Sequence, residues 1–148
     1  MPLTRADTLA LAESVRPVLL RIGRELRRET RAVGVSPEQV SLLVTIKYAP
    51  GIGVGALAAQ EHVSAPAMSN HVDRLERDGL VLRTPSPEDK RRVGLTLTAE
   101  GQRLLRRVRS RRTAWLVSRL GKLDPGELAA IEAAVEPLSR LLAKEDDL

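Results

Sequence analysis

One stretch of the chain sets its architecture: residues 64–101, SAPAMSNHVDRLERDGLVLRTPSPEDKRRVGLTLTAEG. Its first part places apolar residues three and four positions apart, which predicts a helix over residues 65–78 that stops at Gly79. A short apolar run and a proline-containing turn follow. The period then changes, because apolar residues alternate with Gly and Thr over residues 93–97. The stretch therefore predicts a helix followed directly by a β-hairpin.

Local signals divide the rest of the chain into helices. Residues 36–39 (SPEQ) and 124–127 (DPGE) each combine an N-cap, a proline at the first helical position and a capping-box residue. Pro17 falls inside a helical pattern, where it should kink the helix or remove a hydrogen bond, and Pro137 predicts another kink. Six helices are expected, over residues 4–31, 37–48, 55–62, 65–78, 99–120 and 125–144. With residues 61–64 as a tight turn, the pattern predicts a mainly α, winged helix-turn-helix fold with a small β-hairpin wing.

The composition limits the class of protein. The chain has 148 residues, 43% of them hydrophobic, which is enough to form a core. Because Cys is absent, disulfide frameworks, thiolate nucleophiles, thiol sensing and Cys-ligated zinc are excluded, and a cytoplasmic location is expected. The longest uncharged stretch, residues 48–60, has 13 residues. A membrane-spanning helix needs about 20, so no membrane association is expected.

Charge is unevenly distributed along the chain. Residues 65–112 hold 12 basic and 6 acidic residues, whereas residues 124–148 hold 2 basic and 7 acidic residues. A basic middle beside an acidic end suggests a polyanionic partner that contacts the middle alone. The alternative is a set of ordinary solvated helix faces.

The two sides of the helix over residues 65–78 differ in character. Met68, Val72 and Leu75 fall on one side and are expected to dock the helix on the core. The opposite side has no bulky apolar residue, so it suits the major groove of DNA. Together with the N-cap, this side gives the predicted DNA contacts Ser64, Pro66, Ser69, Asn70, Arg74 and Arg77.

Asn70 is the best candidate for reading a base, because its amide can pair bidentately with adenine. Ser69 could bond a base edge or a phosphate, and Pro66 could contact a thymine methyl group. Arg74 and Arg77 could contact guanine or the backbone. For these two arginines the alternative is a solvated face, paired with acidic residues of the same helix.

The predicted tip of the hairpin is a second candidate site. Lys90, Arg91 and Arg92 are placed where a protruding loop could reach the minor groove of DNA. Asp89 beside them would repel phosphate. One explanation is that Asp89 orients Arg91 or an arginine of the preceding helix through a charge-assisted bond. Randomly placed surface charge is the alternative.

These residues resemble a known family. Residues 89–101, DKRRVGLTLTAEG, match the wing signature of the MarR (multiple antibiotic resistance regulator) family: Asp-x-Arg, an apolar-x-Leu-Thr pattern, then x-x-Gly. Residues 64–80, which end VDRLERDGL, look like its recognition helix. Because the order of six helices and one wing also agrees, the resemblance covers essentially the whole chain.

The resemblance implies a homodimeric transcription regulator, usually a repressor that binds a pseudo-palindromic operator. It implies that Arg91 enters the minor groove, that Asp89 braces it, and that the first, fifth and sixth helices pack against a second subunit. The expected organisation is one continuous structural domain with dimerisation segments 1–35 and 99–148 around a DNA-binding region 36–98. The terminal helices independently carry much apolar surface, at Leu9, Leu19, Leu26, Leu116, Leu120, Leu128, Ile131, Val135, Leu138, Leu141 and Leu142. Packing within one chain is the alternative.

Many members of the family release DNA when a small, often aromatic and anionic effector binds. Arg16, Arg21, Tyr48 and Trp115 are the candidate ligand contacts here, although a single Trp or Tyr is more often a packing residue. No cofactor is expected. Nor is a metal site expected, because the two histidines, His62 and His71, lie on the DNA-binding region away from any carboxylate cluster.

Two other classes of protein have to be compared with this interpretation: an enzyme and a winged-helix protein of another kind. Residues 51–55, GIGVG, lack the spacing and the preceding strand of a phosphate-binding loop, and they are interpreted as a flexible approach to the third helix. No catalytic constellation is present, so an enzyme is not expected. The stronger rival is a winged-helix protein that binds other proteins or coats DNA without sequence preference. Helix five would suit such coating through Arg103, Arg106, Arg107, Arg109, Arg111 and Arg112.

Overall fold

A computed structural model describes residues 4–86, 88, 89 and 91–143. Within these residues it has six helices and one two-stranded antiparallel sheet, which confirms the predicted fold class. The elements are α1 (Arg5–Arg31), α2 (Pro37–Tyr48), α3 (Val54–Gln60), α4 (Ala65–Arg77), β1 (Val81–Pro85), β2 (Val93–Leu97), α5 (Ala99–Leu120) and α6 (Pro125–Arg140). None of the described helices combines the length and the apolar character needed to cross a membrane.

The chain forms two compact units, residues 1–112 and 113–148, with the boundary inside α5. The first unit contains the core, which is built almost entirely from aliphatic side chains. Leu43 and Ile46 of α2 are fully buried at its centre. The other buried apolar residues are Val35, Val40, Leu42, Leu57, Ala58, Met68, Val72, Leu75, Leu80, Val81, Leu95, Leu104 and Val108. In the second unit, α6 has no buried residue.

The helices begin where the capping residues predict. Ser36 and Gln39 form a reciprocal capping box at α2, and Asp124 forms another with Glu127 at α6. The third helix is shorter than the predicted 55–62, because His62 has a positive φ of 55° that cannot continue a right-handed helix. Both α1 and α6 run through their internal prolines as single helices.

The sequence suggested that the glycine-rich segment before α3 is flexible. In the structure this segment is hydrogen-bonded to the wing. The Gly51 amide donates to the Leu95 carbonyl at 2.8 Å, and the Leu95 amide donates to the Ile52 carbonyl at 2.8 Å. A Cβ on Gly94 would lie 2.6 Å from the Gly51 carbonyl oxygen, so only glycine fits there. This close approach also buries Gly94 and breaks the expected alternation of β2, in which Val93 is exposed.

A polar contact joins the end of the hairpin to α5. The Thr98 hydroxyl donates to the Gly79 carbonyl at 2.6 Å and accepts from the Gly101 amide at 3.0 Å. A Cβ on Gly101 would collide with the Leu80 carbonyl oxygen, which explains why a glycine stands at this position of the wing signature. The hairpin is thereby fixed to the start of α5.

Candidate DNA-binding interface

The helix α4 has one buried face and one solvent-facing polar face. Met68, Val72 and Leu75 are each at most 1% exposed, which confirms the predicted docking side. Of the predicted contacts on the other side, all but the half-buried Ser69 are exposed: Pro66, Asn70, Arg74 and Arg77. The Ser64 hydroxyl accepts the Ala67 amide at 3.2 Å, so it acts as the N-cap.

The acidic residues of α4 are paired across to the wing. Arg83 of β1 donates to the Asp73 carboxylate at 2.7 Å and to the Glu76 carboxylate at 3.3 Å. The bond to Asp73 is the main reason that the pKa of Arg83 is raised above its ordinary value. Arg74 and Arg77 form no ion pair with any described residue. Both lie on the solvated face that the alternative expects, but without ion pairs to acids of the same helix.

Sequence reasoning missed Arg83. Two features pointed to it: a charged residue inside an otherwise apolar strand, and two carboxylates three positions apart on α4. In a helix, side chains at this spacing lie on the same face and can share one guanidinium. Recognising the pair required knowledge of how β1 packs beside α4, which no local pattern supplies.

The tip of the wing is shaped by Asp89. Its carboxylate accepts the backbone amide of Arg91 at 3.0 Å, and its carbonyl accepts the amide of Arg92 at 2.9 Å. The predicted charge-assisted bond to an arginine side chain is therefore replaced by a bond to the backbone. Arg91 and Arg92 are exposed. Lys90 was also predicted to contact DNA, and it lies outside the described residues.

None of the four candidate effector contacts lines either of two clefts found in the first unit. Arg16 and Arg21 are exposed on α1, and Tyr48 is 77% exposed with the Lys47 ammonium 5.3 Å from its ring centroid. Trp115, in the unit formed by residues 113–148, is half-buried with the Arg119 guanidinium 5.3 Å from its ring centroid. Among the described residues, no three His, Asp or Glu side chains cluster as metal ligands would.

Comparisons with known proteins agree with this geometry. Residues 35–93 match the model of the MarR family. An uncharacterized HTH-type transcriptional regulator of Mycobacterium bovis is 31% identical over 132 residues, which cover 89% of this chain and 92% of that protein. The HTH-type transcriptional repressor MdtR of Bacillus subtilis is 29% identical over 115 residues, covering 78% of this chain and 74% of MdtR.

The fold comparison gives the same result. A crystal structure from Pseudomonas aeruginosa, described as a candidate transcriptional regulator, matches with a TM-score of 0.82 and 32% identity. The match covers 97% of this chain and 100% of that one. The chain therefore belongs to the MarR family and is a DNA-binding transcription regulator rather than an enzyme.

Proposed function

We propose that the protein is a homodimeric, sequence-specific repressor, with α4 in the major groove and the wing in the minor groove of a pseudo-palindromic operator. The observation that carries this proposal is that the acidic and the basic side chains of α4 have different partners. Its acidic side chains bond Arg83, whereas Asn70, Arg74 and Arg77 face solvent. A helix with exposed amide and guanidinium groups, and with its two carboxylates bonded to a shared guanidinium, suits an acidic groove lined with acceptors.

Each predicted contact has a distinct role in this proposal. Asn70 reads adenine, because a carboxamide matches the donor and acceptor of its major-groove edge. Arg74 and Arg77 contact guanine or phosphate, while Ser69 and Pro66 make short-range contacts near the start of α4. The amide groups at the N-terminus of α4, capped by Ser64, face phosphate. In the wing, Lys90, Arg91 and Arg92 supply the minor-groove contacts, on a turn shaped by Asp89.

Dimerisation through the terminal segments is supported by exposed apolar side chains. On α1 they are Leu9, Leu11, Val18, Leu19, Leu20 and Ile22, and on α6 they are Leu128, Ile131, Val135 and Leu138. Apolar surface on this scale marks an interaction site. Segments 1–35 and 99–148 thus contain the dimer interface, and region 36–98 contains the proposed α4 and wing contacts to DNA. A two-fold axis would then place two α4 helices about 34–36 Å apart, one turn of DNA.

Release by a small aromatic or anionic effector completes the proposal. The proposed contacts to such a molecule are Arg16, Arg21, Tyr48 and Trp115. The high exposure of Tyr48 leaves its ring available for stacking. Loss of operator affinity in the presence of salicylate, and its suppression in Tyr48→Ala, would support this role for Tyr48.

The proposal is tested by fluorescence anisotropy with a duplex taken from upstream of the protein's own gene. A scrambled duplex of the same composition is the control, and both are measured at two salt concentrations. A preference for the native duplex that persists at the higher salt is expected, because base contacts depend less on counterion release than phosphate contacts do. Equal and steeply salt-dependent binding to both duplexes would instead favour a DNA-coating protein. Light scattering should give the mass of two chains.

A further inference from the structure

A second basic surface lies away from α4 and the wing tip. It is a cleft of about 1180 Å³, open to solvent, between the end of α1 and the first half of α5. Ala32 and Val33 contribute an apolar side, and Arg103, Arg106, Arg107 and Arg111 line the helical side. All these residues belong to the unit formed by residues 1–112.

The walls of this cleft are held together by two polar contacts. The Arg111 Nε donates to the Glu29 carboxylate at 2.9 Å, and the Arg112 Nε donates to the Thr30 hydroxyl at 2.9 Å. Thr30 is fully buried, and its hydroxyl also donates to the Leu26 carbonyl at 3.1 Å. Because these contacts tie α5 to α1, the cleft is a built feature of the unit rather than a chance gap.

The cleft has more arginines than acidic side chains to pair with them. Over its full length α5 has seven arginines and one glutamate. Within the cleft Arg103 bonds Glu100 at 2.7 Å and Arg111 bonds Glu29, whereas Arg106 and Arg107 form no ion pair with the part of the chain that the structure describes. The bond from Arg103 is the main cause that lowers the pKa of Glu100, and the charge of Arg107 adds to it.

The spacing of these arginines suits an extended anion. Arg103, Arg107 and Arg111 recur every four residues, so they form one row about 12 Å long on a single face of the helix. Like charges at this spacing destabilise a helix, and a bound anion would remove that cost. The cations are all arginines. Their planar guanidinium groups bond two oxygens of a phosphate at once, and they keep their charge at every physiological pH.

We propose that this cleft is a phosphate-binding site, with Arg106 and Arg107 as its principal ligands. Phosphate oxyanions reach a transcription regulator from two sources, a free phosphorylated metabolite and the DNA backbone beyond the reach of α4 and the wing. The DNA source rests on the proposed function above. The metabolite source does not, so the two are tested in separate arms of one experiment.

The test compares the full-length protein with two double variants that remove the same charge. Arg106→Gln/Arg107→Gln empties the cleft of its unpaired guanidinium groups, and Arg24→Gln/Arg109→Gln changes two exposed arginines that do not line it. In the first arm inorganic pyrophosphate is titrated into each protein by calorimetry. In the second arm the affinity for the upstream duplex is measured as a function of salt.

If the cleft binds a metabolite, the cleft variant should bind pyrophosphate at least about tenfold more weakly than the wild type, because charge-assisted bonds are lost. The control variant keeps these bonds and should bind pyrophosphate as the wild type does. A role in backbone binding predicts that the slope of log affinity against log salt falls by about two in the cleft variant only. Either result supports the site and identifies its source. If cleft and control variants change equally in both arms, or if neither changes, the proposal is wrong. The pyrophosphate arm keeps its meaning even if the protein fails to bind the duplex.

Discussion

Replacement of Arg83 by Met tests whether the ion pairs between β1 and α4 reduce the negative charge of the surface that faces DNA. The variant keeps most of the aliphatic stem and removes the guanidinium that bonds Asp73 and Glu76. The side chains of these three residues are 28%, 48% and 41% exposed, so water partly screens both pairs. Pairs of this kind contribute about 0.2–1 kcal/mol each. The free energy of unfolding should therefore fall by only about 1 kcal/mol, which lowers the melting temperature by roughly 4 °C.

Arg83→Met should also weaken DNA binding, by an amount similar to its effect on folding. Without the guanidinium, Asp73 and Glu76 remain as uncompensated carboxylates on the helix that approaches the DNA phosphates. A unit charge about 8 Å from a phosphate, at an effective dielectric constant of about 40, is repelled by about 1 kcal/mol. The carboxylates are present in both proteins and the variant lacks one positive charge, so Arg83→Met should cost about 1 kcal/mol of binding, or roughly a fivefold loss of affinity.

Fluorescence anisotropy on the upstream duplex measures this loss, and a triple variant isolates its cause. Asp73→Asn/Glu76→Gln/Arg83→Met lacks both the cation and the anions, which removes one net negative charge, so it should bind DNA at least as tightly as the wild type. Arg28→Met is the matched control, because it breaks the exposed pair between Arg28 and Glu25 on α1 and should leave affinity unchanged. If Arg83→Met binds as tightly as the wild type, or if the triple variant binds as weakly as the single one, charge compensation is refuted.

Three further substitutions test individual residues. Arg91→Ala should weaken operator binding while light scattering still shows a dimer, and an unchanged affinity would contradict a wing contact. Asn70→Ala should relax the preference at particular base pairs, by about 1–3 kcal/mol each, in anisotropy with a panel of altered duplexes; an equal loss on every sequence would make Asn70 a phosphate contact. Gly101→Ala places a Cβ against the Leu80 carbonyl, so denaturant unfolding should show a loss of about 1–3 kcal/mol. Ser110→Ala, at an exposed position of the same helix, should show none.

The helices and their ends were predictable because their signals are local. Ser36 and Asp124 cap α2 and α6 through residues only three positions away, and the buried side of α4 follows from a spacing of three and four. The predicted end of α3 was wrong for a local reason as well. The helix stops before His62 because this residue has a positive φ, and histidine adopts a positive φ too rarely for its presence to predict one.

What the sequence did not predict depends on contacts between distant segments. The bonds between the segment around Ile52 and Leu95 join residues 43 positions apart, so glycine content alone suggested flexibility where the structure has pairing. The same holds for Arg83, whose partners lie on another element. Arg16, Arg21, Tyr48 and Trp115 are candidate effector contacts by residue type, and residue type carries no information on which side chains share a cleft.

For the carboxylates near the DNA-binding residues, the partner of each group matters more than the number of charges. Asp73 and Glu76 are bonded to Arg83, and Asp89 accepts the Arg91 amide, so all three have a partner within the first unit. Arg74, Arg77 and Arg91 form no ion pair within the described part of the chain. Arg83 is itself one of the twelve bases of residues 65–112, so these bonds leave the net excess of positive charge unchanged. Acids that appear unfavourable for binding phosphate instead position the wing and the helix, and they leave the outward-facing cations free to meet an anion.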